Sequence, residues 1–109
     1  MILIEGNGFT FIDIGFEKTS RKLAKKLMAA RKKDKDIRYV LVTHAVPFNT
    51  KLDFLMGEHV GNKSIREFIK RTRPIYAFSG HLHENEGKKD HIGKTEVINP
   101  GMYGMVFEL

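Results

Sequence analysis

A mixed α/β domain is the fold class this sequence predicts, and three observations predict it. Two short apolar runs, Tyr39–Thr43 and Ile75–Ser79, read as buried strands. Between them lies a segment with an apolar stripe at helical spacing, Ile65, Phe68 and Ile69. Together they form a β-α-β unit, whose crossover makes the two strands parallel. Hairpin patterns lie on either side of this unit and add further strands.

Taken in order, Ile2–Glu5 and Phe9–Ile14 are rich in β-formers and are separated by Gly6-Asn7-Gly8, a strong hairpin signal. Lys18–Lys33 predicts an amphipathic helix with Leu23, Leu27 and Ala30 on one face and Ala24 and Met28 beside them. Thr19 or Ser20 is placed to cap its start. Lys33-Asp34-Lys35-Asp36 is a charged turn. After the strand at Tyr39–Thr43 comes a long loop, His44–Gly61, with little periodicity; loops of that length in a small domain are usually functional or disordered. Asn62 or Ser64 starts the second helix, and Pro74 stops it. After the second buried strand come a His81–His83 turn and a polar loop, Glu84–Asp90. His91-Ile92 and Lys94–Ile98 predict a hairpin turned at Gly93. Asn99-Pro100-Gly101 breaks it, and Tyr103–Leu109 is a last strand.

The chain has 109 residues, enough for one small domain spanning 1–109, and its 41% hydrophobic content predicts folding rather than disorder. No stretch approaches the roughly 18 apolar residues of a membrane span, and Met1–Ile4 is too short for a signal peptide; a cytoplasmic location is expected. Without cysteine there are no disulfides and no thiolate metal sites. Any metal must therefore be held by nitrogen and oxygen. The net charge is +6, and more than half of the 19 Lys and Arg lie between Lys18 and Arg38. Such a basic segment attracts nucleic acid or phosphorylated substrates, or is simply a solvated helix face.

Histidines carry the chemistry. His44 follows the first buried strand, and Gly80-His81-Leu82-His83 follows the second. Parallel neighbours lie about 4.8 Å apart with their carboxyl ends on one side. His44 and His81 then emerge together, at the end of the sheet where ligands are usually held. Neutral imidazole suits zinc, manganese, iron and nickel. On an extended segment, His81 and His83 point the same way and chelate one ion; on a tight turn they serve two. Gly80 is expected to let the backbone bend sharply just before them. His59, in the long loop, either meets substrate or caps the loop. His91 reads as an ordinary surface residue.

Four segments then carry a resemblance. Val42-Thr43-His44-Ala45-Val46-Pro47, Gly57-Glu58-His59-Val60-Gly61-Asn62-Lys63-Ser64, Gly80-His81-Leu82-His83-Glu84 and Asn99-Pro100-Gly101 occur in this order. The set resembles the carboxyl-terminal half of a calcineurin-like metallophosphoesterase, and is closest to the small prokaryotic phosphoesterases that carry a Gly-His-x-His segment and an Asn-Pro-Gly turn. The resemblance covers most of the chain from about Met1. It implies a β-sandwich with flanking helices, of which this chain supplies the carboxyl-terminal half. It also implies metal-dependent hydrolysis of a phosphomonoester or phosphodiester at a two-metal site. His44 and His81 would bind one divalent transition metal (Mn, Zn, Ni or Fe) and His83 the other. Asn49, Lys51 and His59, in the loop after His44, are weaker candidates for contacting the phosphoester substrate.

The family's amino-terminal motifs, Asp-x-His, Gly-Asp and Gly-Asn-His, have no counterpart here. Three neutral imidazoles can hold one ion, but they cannot balance two dications and provide no carboxylate bridge. The chain is therefore expected to be inactive alone. It reads as a fragment of a longer enzyme, because the match begins at Met1, inside the middle of the family fold. Half of a sandwich leaves a sheet face or edge uncovered, so a homo-oligomer or pairing with a missing amino-terminal half is expected. Two other readings stand beside this one. The first is a catalytically inactive interaction or oligomerisation module with the same half-fold. The second is a basic nucleic-acid-binding domain built on the Lys18–Arg38 segment.

Overall fold

The computed structural model describes residues 2–5, 8–11, 16–80 and 82–101, with side chains from Arg21 onward. The strand expected at Tyr103–Leu109, the hairpin residues Ile12–Ile14 and His81 lie outside the described residues.

The described chain runs β1 (Ile2–Glu5), β2 (Gly8–Phe11), α1 (Phe16–Lys33), β3 (Tyr39–Thr43), β4 (Phe54–Leu55), β5 (Glu58–His59), α2 (Lys63–Thr72), β6 (Tyr76–Ser79), one turn of 3-10 helix (His83–Asn85), β7 (Lys89–Ile92) and β8 (Thr95–Ile98). Among the described residues this is an α+β domain. A six-stranded mixed sheet has the order β2-β1-β3-β6-β8-β7, and β4 and β5 form a separate two-stranded hairpin. The pairing expected of the β-α-β unit is present: β3 runs parallel to β6, from Val40 opposite Tyr76 to Thr43 opposite Ser79. β8 adds a third parallel strand beside β6, and β1 and β7 pair antiparallel on the two flanks.

Both helices lie on one face of the sheet. Tyr39, Leu41, Ala77 and Val97 share that face through the strand registers, and they form one buried cluster with Leu23 and Leu27 of α1 and Ile65, Phe68 and Ile69 of α2. Met28 is 61% exposed. Five residues at about 100° each carry it some 140° round the helix from Leu23, off the stripe. On the other face Val40 and Ile98 are buried, while Val42, Tyr76 and Phe78 are half-buried.

Helix α2 has defined ends. Asn62, in extended conformation, accepts the Ile65 N–H on Oδ1 (2.9 Å) and so caps the start. Arg73 takes the left-handed conformation (φ +52°) and returns its N–H to the Ile69 carbonyl (2.8 Å). The Arg31 guanidinium donates to the Thr72 carbonyl, placing a cation on the negative end of the helix dipole.

Three segments differ from the sequence expectation. Helix α1 begins at Phe16, so Thr19 and Ser20, expected to cap it, lie within its first turns instead. Lys89 and Asp90 join β7 rather than a loop, because pairing with β8 outweighs their poor strand propensity on an edge. The long loop after His44 contains the β4–β5 hairpin, turned by Met56 (φ +51°) and Gly57 (φ +83°). Two consecutive positive φ angles match the twist of a two-residue hairpin. Among the described residues, no helix is long and apolar enough to cross a membrane.

Candidate functional site

The three parallel strands end on one edge, and the histidine turn begins there. Beyond the last β3–β6 pair, the Gly80 N–H donates to the His44 carbonyl (3.2 Å), so the two backbones stay side by side. A cavity of about 300 Å³ opens at this edge, lined by Thr43, Ser79, Gly80, His83, Glu86 and Asn99 among others. His83 opens the 3-10 turn and is largely exposed, with Nδ1 3.0 Å from Glu86 Oε1. A carboxylate at Nδ1 favours the proton there and leaves the Nε2 lone pair to face outward. Among the described residues the buried Ser79 hydroxyl has no hydrogen-bond partner, an uncommon state for a polar group at a cavity wall.

Asn99-Pro100-Gly101 does more than break a strand. Asn99, 1% exposed, donates from Nδ2 to the Leu82 carbonyl (3.0 Å) and accepts the Gly101 N–H (3.1 Å). It thereby braces the histidine turn from below. Gly101 has φ +79°, and a Cβ there would meet Glu86 Cβ at 3.2 Å. The expected role of Gly80 needs correction. Its φ is not in the left-handed region, and a Cβ built on it meets nothing within 4 Å. The hydrogen bond to His44 and the Asn99 brace hold this turn without a glycine conformation.

His44 is exposed at the end of β3 and is not among the residues lining this cavity. His81 lies outside the described residues. Among the described residues, no three His, Asp or Glu side chains are grouped so as to hold a metal ion.

The loop between β3 and α2 is organised around a residue that the sequence reading passed over. Asp53 is fully buried. Its Oδ1 accepts the Thr50 N–H (2.8 Å) and lies 2.7 Å from His59 Nδ1; its Oδ2 accepts the N–H groups of Asn49 (2.9 Å) and Gly61 (3.0 Å). Burial pushes this carboxyl up. The hydrogen bonds from Thr50, His59, Gly61 and Asn49 together outweigh burial and hold it below the ordinary aspartate value. The available signal was a lone carboxylate inside the apolar run Leu52-Asp53-Phe54-Leu55, where a charge must be partnered if it is buried.

His59 packs edge-on against Phe48 (5.9 Å between centroids) and Phe54 (5.0 Å). Asn49, Lys51 and His59, the three weaker substrate candidates, line one depression of about 330 Å³ together with Thr50, Phe54, Lys88 and Asp90. This depression is tied to the histidine turn. Asn85, at the end of the 3-10 turn, donates from Nδ2 to the carbonyls of Leu52 (2.8 Å) and Phe54 (3.1 Å). Its Oδ1 accepts from Lys88 Nζ (2.8 Å). His91 sits exposed on β7.

At the amino ends of β3, β6 and β8 lies a third feature. A cleft of about 760 Å³ is rimmed by Arg31, Lys35, Arg66, Lys70, Arg73 and Lys94 over an isoleucine-rich floor, and no carboxylate lines it among the described residues. Comparisons of the chain with protein-family models, curated proteins and solved structures found no match.

Proposed function

We propose that this chain carries part of a metal-dependent phosphoester hydrolase, with His44, His81 and His83 as nitrogen ligands of a divalent transition metal. The proposal includes the finer fold assignment, in which the six-stranded sheet is half of a β-sandwich with flanking helices. One observation carries it. β3 and β6 are parallel neighbours, and the backbone bond from Gly80 to His44 continues their pairing into the histidine turn. The Glu86–His83 pair supports it, since a carboxylate behind an imidazole orients and strengthens a metal ligand.

The donor set fits one cation held by imidazoles. It does not fit two dications, which need bridging and charge-balancing carboxylates. Those ligands would come from a second copy or a partner half. When bound, the cation supplies Lewis acidity toward a phosphoryl oxygen. The chain's own residues do the rest. Glu86 holds the proton on His83 Nδ1, Asn99 fixes the turn, and Asn85 links it to the Asn49–His59 loop that faces substrate.

Titration with Mn²⁺, Zn²⁺ and Ni²⁺ tests the reading. His44→Ala, His81→Ala and His83→Ala are each expected to weaken binding by about tenfold or more, and Glu86→Gln by about tenfold. Unchanged affinity in His44→Ala and His83→Ala overturns the metal site. Bis-p-nitrophenyl phosphate should be turned over slowly at best by this chain alone; brisk turnover removes the need for outside carboxylates. If the triple histidine variant keeps both fold and self-association and no metal binds, the inactive interaction module is the better reading.

The basic cleft favours a second reading, nucleic-acid binding, because six cations without a lining carboxylate match a phosphate backbone. A fluorescent single-stranded oligonucleotide should then bind with a steep salt dependence, and Lys35→Glu with Lys94→Glu should reduce both affinity and salt slope. An affinity unaffected by these reversals removes the reading.

A further inference from the structure

We infer that the depression beside His59 is a phosphate-binding site, with His59 Nε2 and the ammonium groups of Lys51 and Lys88 as its contacts and Asp53 as a positioning residue. The inference does not rest on the metal reading, and its test is done without metal.

The argument starts from the way Asp53 is used. A buried carboxylate that only organised a loop would be satisfied by the N–H groups of Asn49, Thr50 and Gly61, which already engage both oxygens. The remaining position on Oδ1 is taken by an imidazole at 2.7 Å. That imidazole is one-third exposed, and its second nitrogen is the one left to meet a ligand in the depression. The carboxylate sets the proton on Nδ1 and stabilises the ring when Nε2 is also protonated. In that state the ring donates from Nε2 to an oxyanion, flanked by Asp53 on one side and the bound anion on the other.

The surroundings are fixed rather than loose. Asn49 sits at φ +61°, in the left-handed region that asparagine tolerates better than most side chains. Here Asp53 takes its N–H and Arg66 donates to its carbonyl (3.1 Å). Phe48 and Phe54 clamp the ring from two edges. Asn85 pins the loop carbonyls and also takes a hydrogen bond from Lys88. A contact set held this way meets the preorganisation that binding sites need.

The charge balance selects the ligand. Lys51 and Lys88 line the depression with His59, against Asp90 among the lining residues and the buried Asp53 behind the ring. Both oxygens of Asp90 already accept backbone N–H groups, from His91 (2.8 Å) and Lys51 (3.0 Å). The two ammonium groups and the Nε2 donor outnumber the two carboxylates and suit a tetrahedral oxyanion such as the phosphate of a phosphomonoester. The half-exposed Phe54 ring on the rim offers an apolar surface to the group that the phosphate esterifies.

Phosphate and phenyl phosphate are titrated into metal-free protein, with the His59 ring nitrogens observed by ¹⁵N NMR and affinity measured by calorimetry. Before addition, His59 should carry its proton on Nδ1. Phosphate should shift the Nε2 resonance toward the protonated form. His59→Gln and Lys51→Ala should each weaken phenyl phosphate binding at least fivefold, and Lys88→Ala should weaken it less, because its ammonium is already partly engaged. His44→Ala and His83→Ala should leave the affinity unchanged, which separates this site from the metal proposal. The inference is overturned if the His59 resonances do not move on phosphate addition, or if Lys51→Ala and His59→Gln bind like the parent protein.

Discussion

Asp53→Ala is expected to destabilise the protein by about 3–5 kcal/mol, more than removal of any exposed side chain. The reason is the number of groups left behind. A neutral methyl in place of the carboxylate strands the N–H groups of Asn49, Thr50 and Gly61 together with the His59 ring. Each buried donor left without an acceptor costs about 1–3 kcal/mol, and partial repair by water reduces the sum. Asp53→Asn keeps the volume but turns an NH₂ group toward two of the same donors, so it should recover only a small part of the loss. Urea unfolding with an unchanged m-value measures this directly; a midpoint shift equivalent to less than about 1 kcal/mol would show that the loop holds itself without Asp53.

The same site predicts a pH dependence. In the folded state the Asp53 carboxyl lies below its ordinary value of 3.8, because hydrogen bonds from Thr50, His59, Gly61 and Asn49 overcome the upward push of burial. A depressed carboxyl contributes stability that is present above its unfolded value and is lost as the pH falls through the folded one. The stability gap between the parent protein and Asp53→Asn should therefore shrink as the pH falls below the ordinary value. A gap that stayed constant through that window would place the stabilisation in packing instead.

Gly61→Ala is the second large effect. A Cβ at this position would stand 2.7 Å from the Pro47 carbonyl oxygen, 2.8 Å from its carbon and 2.8 Å from Asp53 Cβ. Two of these are backbone atoms that cannot swing aside. The strands of the loop are clasped there, with Asn62 N–H donating to the Val46 carbonyl (2.8 Å) and Phe48 N–H to the Asn62 carbonyl (3.1 Å). Overpacking of this kind typically costs about 1–3 kcal/mol, and the upper end is expected because the shift also pulls the Gly61 N–H from Asp53. Gly80→Ala is the control. It fills open space and should stay within about 0.5 kcal/mol of the parent. Equal melting temperatures for the two variants would count against the close approach at Gly61.

Much of the scaffold was legible in the residues. Tyr39–Thr43 and Ile75–Ser79 are apolar on both faces, which marks central strands, and the stripe of Ile65, Phe68 and Ile69 between them makes the connection a helix. Those two features are enough to make the strands parallel and to send both histidine segments toward the same edge. The residues leave the start of the second helix between Asn62 and Ser64, because both carry capping chemistry, and the structure places the cap at Asn62. Met28, which the periodicity puts beside the stripe rather than on it, is 61% exposed. Glycine at position 80 permits a left-handed backbone, but the chain there does not use one.

The loop was legible only as a list of polar candidates. Asn49, Lys51 and His59 stand together there as residues of one loop, but the depression that joins them to Lys88 and Asp90 is set by the fold. Nothing in the residue order links Lys88 to that loop, because it arrives there through Asn85.

From the order of its residues alone, this protein determined its β-α-β core, a helix start within Asn62–Ser64 and the presence of histidines after two strands. Those properties depend on periodicity and on neighbours a few positions apart, which a linear text contains. Only the tertiary structure decided that Asp53 sits at zero exposure under His59, that Asn85 reaches carbonyls more than thirty residues away, and that Asn99 braces the histidine turn. A buried polar group takes whichever partners the fold delivers to it, and in an aperiodic loop the distances between those partners follow no pattern along the chain.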